Sequence, residues 1–316
     1  MTNRDTAAAF APASIGNLGV GFDMLGLAIA GAGDRVTARR AARPGVTLVQ
    51  VRNPSGELHR DLPTEADRNT ASIAAAALWQ QHGAGGLELV VEKGIPLESG
   101  MGSSAASAVA AVVAANALLE APLAVRDLLP FALEGERYAS GGVHADNVAP
   151  SLLGGLVLCP EMLLPETIAL KPPAGISGVL LHPDLKVGTA DARRALSPTC
   201  TMTQWLAQQA YLAAFVVACE RGDQELIRKS LHDVIIEPQR VHRVPPFEAV
   251  KAAAMEQGAL GCSLSGSGPS VFALVPDAMA TEVAGAMEAA CRRAGFACES
   301  FVSPMNAPGA RLVEQA

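Results

Sequence analysis

A glycine- and serine-rich loop runs directly into a long alanine-rich segment, and this junction constrains the fold and chemistry of the chain most strongly. The loop spans residues 96–104 with the sequence PLESGMGSS, and the alanine-rich segment spans residues 105–119. Alanine favours helix, so the loop is predicted to open a helix. At a helix start the backbone N–H groups lack helical partners and the helix dipole adds partial positive charge. The junction is therefore a candidate site for an anion such as phosphate.

The same loop has a second interpretation, in which Ser103 or Ser104 caps the helix after an ordinary turn. The loop alone does not decide between the two interpretations. Two common nucleotide-binding patterns are missing, because no glycine loop ends in Gly-Lys-Ser/Thr, and Gly19-Val20-Gly21 is followed at position 24 by methionine. The sequence therefore argues against Walker-type ATPases and Rossmann dehydrogenases.

Composition limits the partners that the chain can have. The chain has 316 residues, half of them hydrophobic, which is enough to bury the core of one large or two ordinary domains. Its 31 acidic and 24 basic residues give a net charge of −7, which disfavours nucleic acid as a partner. The least polar run, residues 105–119, is too short and too often interrupted by polar residues to cross a membrane. The six scattered cysteines form no CxxC pair, and we expect a cytoplasmic protein without disulfides or a zinc site.

Periodicity along the chain predicts an α+β protein. Asp67 is predicted to cap a helix over residues 68–82, which ends at a left-handed Gly83. The turn at residues 265–269 either connects two strands or forms a second ligand loop. Further strands are predicted at residues 7–11, 25–30, 86–93, 178–182, 259–264, 270–275 and near 296, and further helices at 203–219, 223–232, 247–257 and 277–293.

Three segments in a fixed order resemble the GHMP kinase superfamily, and within it most closely the homoserine kinases. They are residues 11–26, the loop at 96–104, and residues 264–270, which read APASIGNLGVGFDMLG, PLESGMGSS and LSGSGPS. The Gly-Phe-Asp stretch at residues 21–23 favours homoserine kinases over their relatives. Two further pairs of stretches look like homoserine kinase segments: residues 134–136 together with 144–150, and residues 189–193 together with 237–240.

The resemblance implies a two-domain α+β fold with the active site between the domains. Residues 1–165 would form an ATP-binding domain like domain 2 of ribosomal protein S5, and residues 166–316 a ferredoxin-like domain. The implied reaction is transfer of the ATP γ-phosphoryl group to L-homoserine in threonine biosynthesis, with Mg²⁺ as cofactor. The family habit suggests a homodimer. Another GHMP kinase with an isoprenoid or sugar alcohol as acceptor, or a non-catalytic nucleotide sensor, remains an alternative.

The resemblance also implies which residues carry the chemistry. Glu136 and Ser104 are expected to bind Mg²⁺, which prefers oxygen ligands, although Glu136 could also be a solvated acid on a charged helix face. Asn147 follows Glu136 by 11 positions, where relatives such as mevalonate kinase carry a catalytic aspartate. An amide cannot act as a base at neutral pH, so Asn147 is expected to orient the substrate, with the register between Asp146 and Asn147 left open.

Homoserine is a zwitterion, so its site needs one anionic and at least one cationic group. Asp23 is expected to bind the ammonium group. Arg193 and Arg240 are expected to bind the carboxylate, with Arg193 also counted as catalytic and its neighbour Arg194 left as an alternative. Asn17, Asn147 and Thr189 are expected to hydrogen-bond the substrate. The residues implied to bind ATP are Asn69, which could instead cap a helix, and Pro96, Leu97, Glu98, Ser99, Gly100, Met101, Gly102, Ser103, Ser104, Gly266, Ser267 and Gly268.

Overall fold

The chain folds into two β-sheets with helices packed on them. The structure is a computed structural model, which describes residues 4–140, 142 and 144–314. The strands are β1 (Thr6–Gly16), β2 (Leu25–Ala41), β3 (Gly45–Arg52), β4 (Gly86–Glu92), β5 (Leu156–Leu158), β6 (Ile168–Leu170), β7 (Ile176–Pro183), β8 (Gly261–Leu264), β9 (Val271–Pro276), β10 (Cys298–Pro304) and β11 (Arg311–Val313). The helices are α1 (Thr70–His82), α2 (Ser103–Asn116), α3 (Leu129–Ser140), α4 (Ala145–Leu153), α5 (Thr189–Arg194), α6 (Met202–Arg221), α7 (Gln224–Ser230), α8 (Glu237–Arg240), α9 (Phe247–Glu256) and α10 (Ala280–Arg293).

The first sheet contains strands from both ends of the chain. Its order is β11-β1-β2-β4-β3, with β5 added to β2 and β6 added to β5. All of its strand pairs are antiparallel except β3 and β4. Strands β6 and β11 lie beyond residue 165 but belong to this sheet, so the sheet is not confined to residues 1–165. The domain boundary at residue 165 stays a prediction.

Helix α2, the helix after the glycine-serine loop, lies at the centre of the first core. Every residue in it except Ser104 is buried. It packs against β1, β2, α1, α3 and α4. Its alanines carry small side chains, which let neighbouring elements approach closely on all sides. The exposed part of the helix is thus its first turn, where the loop ends.

The second sheet is antiparallel with the order β10-β7-β9-β8. Helices α9 and α10 pack on it around a second core that includes Phe247, Val271 and Met287. The predicted α+β class is confirmed, and so are the helices that the sequence predicts in this half of the chain. Within the described residues, no helix is both long and apolar enough to span a bilayer.

The predicted ends of α1 are wrong. Asp67 lies in a short 3-10 turn, and Asn69 caps the helix instead, because its side-chain oxygen accepts the Ala71 N–H at 3.0 Å. Gly83 has an extended backbone with φ −88° rather than a left-handed one, and its N–H closes the helix on the Trp79 carbonyl. Both errors arise because the unpaired backbone groups at a helix end can be satisfied in more than one way. Residue type alone does not decide which nearby polar residue caps the helix or which backbone conformation a glycine adopts.

A buried ion pair holds α2 to the first sheet. Lys93 and Asp34, which are 6% and 0% exposed, form a salt bridge beneath the start of α2. The Lys93 ammonium also donates to the Ser103 carbonyl at 2.8 Å and to the Ser107 hydroxyl at 2.9 Å. Asp34 in turn accepts the N–H groups of Gly94 and Ile95. Both charges are therefore surrounded by hydrogen-bond partners, as buried charges require.

We expect Lys93→Met to lower the free energy of unfolding by about 3 kcal/mol, because the substitution leaves Asp34 buried without its countercharge. Urea unfolding of the variant and the wild type measures this loss. The matched control is Arg39→Met, which removes an exposed ion pair between Arg39 on β2 and Glu88 on β4 and should leave stability unchanged. Equal stability of wild type and Lys93→Met would contradict the structural role of the pair.

Candidate active site

The three motif segments meet around one cleft of about 600 Å³, a size that suits small-molecule ligands. The cleft lies at the start of α2, between the loop that follows β1, helix α5 and the turn that follows β8. Most of the residues that the sequence assigns to the site line it. These are Asn17, Asp23, Asn69, Leu97, Glu98, Ser99, Gly100, Gly102, Ser103, Ser104, Glu136, Asn147, Thr189, Arg193, Arg240, Gly266 and Ser267.

Three predicted ATP-binding residues, Pro96, Met101 and Gly268, are not part of the cleft lining. Met101 is completely buried, and both of its backbone polar groups are bonded within the protein. Asn69 does line the cleft, but its side chain also caps α1. The cap interpretation of Asn69 is therefore confirmed, and its contact with adenine stays a prediction.

Serine residues from both ends of the chain hold carbonyl groups of the glycine-serine loop at residues 96–104. The Ser265 hydroxyl donates to the Gly100 carbonyl at 2.6 Å, and the Ser270 hydroxyl donates to the Ser99 carbonyl at 2.7 Å. From β1, the Ser14 N–H donates to the Met101 carbonyl at 3.1 Å. With its carbonyl oxygens bonded to the protein, the loop has a fixed shape.

Two glycines in this loop have left-handed backbones and no room for a side chain. A Cβ on Gly100, where φ is +74°, would lie 2.5 Å from the Ser265 carbonyl oxygen. A Cβ on Gly102, where φ is +71°, would lie 2.3 Å from the Ser14 hydroxyl. Glycine is required at both positions because the loop approaches neighbouring segments so closely.

Helix α2 begins without a side-chain cap. Gly102 occupies the N-cap position and provides no side chain, so the alternative in which Ser103 or Ser104 caps the helix is wrong. The Ser103 hydroxyl instead donates to the Ile95 carbonyl, and the Ser104 hydroxyl donates to the Glu136 carboxylate at 2.7 Å. The first amides of α2 thus keep the capacity to bind an anion.

Glu136 lies at the cleft rather than on the protein surface. It is 7% exposed, lines the cleft and accepts the Ser104 hydroxyl. Its neighbour Glu134 points into solvent and pairs with Arg137 along helix α3. The alternative in which Glu136 is a solvated surface acid is therefore wrong.

The part of the cleft near Asp23 contains charged groups of both signs. Arg193 donates two hydrogen bonds to Asp23, at 2.9 and 2.7 Å, in the bidentate arrangement that suits guanidinium and carboxylate. His144 lies 3.6 Å from the same carboxylate, and burial lowers its pKa. Arg194 is exposed and pairs with Asp191, so Arg193 is the arginine of this pair that faces the cleft.

Asn17 uses its side chain to hold the loop that carries Asp23. Its side-chain oxygen accepts the Asp23 N–H at 3.0 Å, and its amide group donates to the Gly266 carbonyl at 3.0 Å. The buried Arg240 donates to the same carbonyl at 2.9 Å. Thr189 lies opposite, with its hydroxyl 3.5 Å from that of Ser267.

Asp146 and Asn147 both line the cleft but differ in burial. The Asn147 side-chain oxygen accepts the Ser14 hydroxyl at 3.0 Å, and the residue is half-buried. Asp146 is 3% exposed and accepts the Asn17 N–H at 3.0 Å. Burial, with the nearby charge of Asp23, raises the pKa of Asp146 to about 7.

Comparison with known proteins agrees with this geometry. The chain matches "GHMP kinases N terminal domain" over residues 69–155 and "GHMP kinases C terminal" over residues 215–293. It is 45% identical over 310 residues to a homoserine kinase from Xylella fastidiosa (strain 9a5c), with 97% of this chain and 94% of that protein covered. A homoserine kinase from Chlorobaculum tepidum is 38% identical, with 98% of both covered.

A solved structure extends the similarity to three dimensions. The crystal structure of homoserine kinase from Cytophaga hutchinsonii ATCC 33406 matches with a TM-score of 0.91 and 38% identity over 99% of both chains. The chain belongs to the homoserine kinase family of GHMP kinases. The two-domain GHMP kinase fold implied by the motifs is thereby confirmed, and so is the family assignment.

Sequence reasoning missed several residues of this homoserine kinase family site. Lys93 and His144 line the cleft, and Ser14 and Phe22 contact residues that do. Ser14 and Phe22 lie within the first motif and His144 beside Asp146, so their motif positions could have suggested a role. Lys93 has no such signal, because its partner Asp34 is 59 residues away in sequence.

Asp146 makes a specific contribution to the pH dependence of stability. Its pKa in the folded protein, about 7, exceeds its ordinary value of 3.8, so between these values the folded state holds a proton that the unfolded state releases. Stability therefore falls as pH rises through this range, by up to about 1.4 kcal/mol per pH unit from this group.

We expect Asp146→Asn to remove that contribution while preserving the side-chain shape. Urea unfolding at several pH values between 4.5 and 8 measures the difference in unfolding free energy between variant and wild type. This difference should shift in favour of the variant as pH rises to about 7 and should stay constant above that pH. A stability difference that does not change with pH would contradict the buried, protonated state of Asp146.

Proposed function

We propose that the chain transfers the γ-phosphoryl group of ATP to the hydroxyl of L-homoserine, giving O-phospho-L-homoserine and ADP for threonine biosynthesis. One observation carries the proposal: two different kinds of site share one cleft. One is the uncapped start of α2 beside Glu136, and the other is the charged group of Asp23, Arg193 and Arg240. The first suits a triphosphate, and the second suits a zwitterion. The family membership supports the same pairing of substrates.

The start of α2 is the phosphate site in this proposal. Its first amides and the helix dipole would stabilise the negative charge of the phosphates, in place of the lysine that Walker-type loops use. The bonds from Ser265 and Ser270 to the loop carbonyls fix these amides before ATP binds. Such preorganised dipoles need little rearrangement as charge moves during phosphoryl transfer.

Glu136 and Ser104 suit Mg²⁺ as the cofactor. Their oxygens are in direct contact at 2.7 Å and border the phosphate site. Within residues 4–140, 142 and 144–314, no group of three or more His, Cys, Asp and Glu side chains could hold a metal alone. Mg²⁺ commonly takes one or two protein oxygens and completes its shell with phosphate oxygens and water. When bound, it would neutralise charge on the phosphates.

Asn147 is expected to orient the acceptor hydroxyl rather than remove its proton. Ser14 fixes the amide oxygen of Asn147, and the amide NH₂ donates one hydrogen to the Asp146 carboxyl group at 3.4 Å, so its second hydrogen is the donor proposed for the substrate oxygen. In the reaction the hydroxyl oxygen bonds to the γ-phosphorus, the bond from that phosphorus to ADP breaks, and the hydroxyl proton leaves late, to an oxygen of the transferred phosphoryl group and then to solvent. A loose transition state of this kind needs positioning and charge stabilisation more than a strong base.

An assay of ADP release with Mg-ATP and either L-homoserine, mevalonate, galactose or no acceptor tests the proposal. Turnover is expected with homoserine alone, because only that acceptor carries both charges that the cleft complements. Turnover with another alcohol would overturn the proposed substrate. ATP binding without turnover on any acceptor would favour the sensor alternative.

In the same assay, Glu136→Gln should lower kcat by about a hundredfold because it removes the charge that faces the metal and the phosphates. Glutamine can still accept the Ser104 hydroxyl, so the thermal unfolding temperature should stay the same. The matched control is Glu134→Gln, on the solvent side of the same helix, which should keep full activity. Full activity of Glu136→Gln would contradict the metal role of Glu136.

We also propose that the protein works as a homodimer in the cytoplasm. Its six cysteines are free, which is typical of a reducing compartment. Helix α6 has no charged residue between Met202 and Cys219, yet Met202, Trp205, Leu206 and Val217 on it are exposed. Smaller alanines lie between these larger side chains, so two α6 helices could pack closely against each other.

We expect Leu206→Glu to convert the dimer into a monomer, because it would place a charge on the apolar face of α6. Light scattering during size-exclusion chromatography gives the mass of each variant. Gln224→Glu, on the neighbouring helix α7, is the control and should remain dimeric. A wild-type protein that is monomeric at micromolar concentration would contradict the proposed dimer.

A further inference from the structure

The ring of Phe22 contacts both arginines of the proposed carboxylate site. Its centroid lies 5.2 Å from the guanidinium carbon of Arg193 and 5.2 Å from that of Arg240. The next residue, Asp23, has a left-handed backbone with φ +58° and bonds Arg193 through its carboxylate. A single dipeptide thus presents an aromatic face and an anion to the same pair of cations.

The two guanidinium groups need such support because they carry like charges in a confined place. Arg240 is 3% exposed, and both burial and the charge of Arg193 lower its pKa. The buried Nε atoms of both arginines have no hydrogen-bond partner among the described residues. Among the described residues, Arg240 donates to the Gly266 carbonyl and forms no salt bridge with a carboxylate. An aromatic face attracts cations, so the Phe22 ring offsets part of this cost.

We propose that Phe22 is a positioning residue that selects acceptors with an α-carboxylate. It holds the guanidinium groups of Arg193 and Arg240 side by side, so that one carboxylate can contact both. The inference rests on the proposed function, because it assumes that these arginines bind the carboxylate of an amino-acid acceptor.

Phe22→Leu tests the role of the ring, because leucine keeps an apolar side chain but has no aromatic face. Loss of two cation–π contacts should raise KM for homoserine about tenfold. The kcat and the KM for ATP should stay within about twofold of wild type, because neither arginine contributes to the phosphate site in this account. Phe22→Tyr keeps the aromatic face and should restore most of the affinity for homoserine.

A ligand without the carboxylate distinguishes a loss of carboxylate recognition from a general loss of packing. 3-Aminopropan-1-ol has the amine and hydroxyl of homoserine but no carboxylate. Its inhibition constant against homoserine should be the same in wild type and Phe22→Leu, because Phe22 acts only through the two arginines. A general loss of packing would weaken both ligands equally.

The matched control is Phe10→Leu, which removes a similar contact with Arg311, 4.7 Å from the ring centroid, in the first sheet. Its kinetic constants should equal those of wild type. Wild-type turnover of homoserine with an unchanged KM in Phe22→Leu would overturn this inference while leaving the proposed function intact. Equal weakening of homoserine, 3-aminopropan-1-ol and ATP would also overturn it. A wild type that does not phosphorylate homoserine would instead overturn the proposed function itself.

Discussion

Three hydrogen bonds, from Ser14, Ser265 and Ser270, fix three carbonyl oxygens of the glycine-serine loop, and the rest of the cleft depends on them. They hold the glycine-serine loop against two segments that lie about 250 residues apart in sequence. Because the loop carbonyls are bonded inside the protein, the amides that follow them at the start of α2 remain available to an anion. The glycines at positions 100 and 102 make this close approach possible, since any side chain there would collide with Ser265 or Ser14.

The two ends of the cleft differ in the kind of charge that they present. The end of the cleft that is proposed to bind phosphate has backbone dipoles and the Glu136 carboxylate, whereas the end that is proposed to bind the amino acid has the charged side chains Asp23, Arg193 and Arg240. Asp23 and Arg193 contact each other directly. A bound zwitterion would exchange this single ion pair for two, one at each of its own ends, whereas an acceptor with one charge would leave a partner unsatisfied. This exchange explains how the cleft could discriminate against uncharged alcohols.

Local features of the site could be predicted from the sequence. The glycine-serine loop and helix α2 are adjacent in the chain, so composition alone indicated a helix start with unpaired amides. The ordered motifs then predicted that Asp23, Glu136, Asn147, Arg193 and Arg240 would share a site, and all five line the cleft. Their individual roles stay predictions.

Features that depend on distant partners could not be predicted in this way. The pairing of Lys93 with Asp34 and the position of Phe22 between two arginines join residues far apart in sequence. Substrate binding by Asn17 stays a prediction, but the bond from its side chain to the Gly266 carbonyl, 249 residues away, could not be predicted. The sequence predicts Asp67 as the cap of α1 where the structure has Asn69, because the two residue types are equally suitable for a helix cap.

A crystal structure with L-homoserine and a non-hydrolysable ATP analogue tests directly whether the two ends of the cleft bind the two substrates. We expect phosphate oxygens within hydrogen-bond distance of the first amides of α2, and the homoserine carboxylate between Arg193 and Arg240. Phosphates bound elsewhere in the cleft, or a homoserine carboxylate that contacts neither arginine, would contradict it.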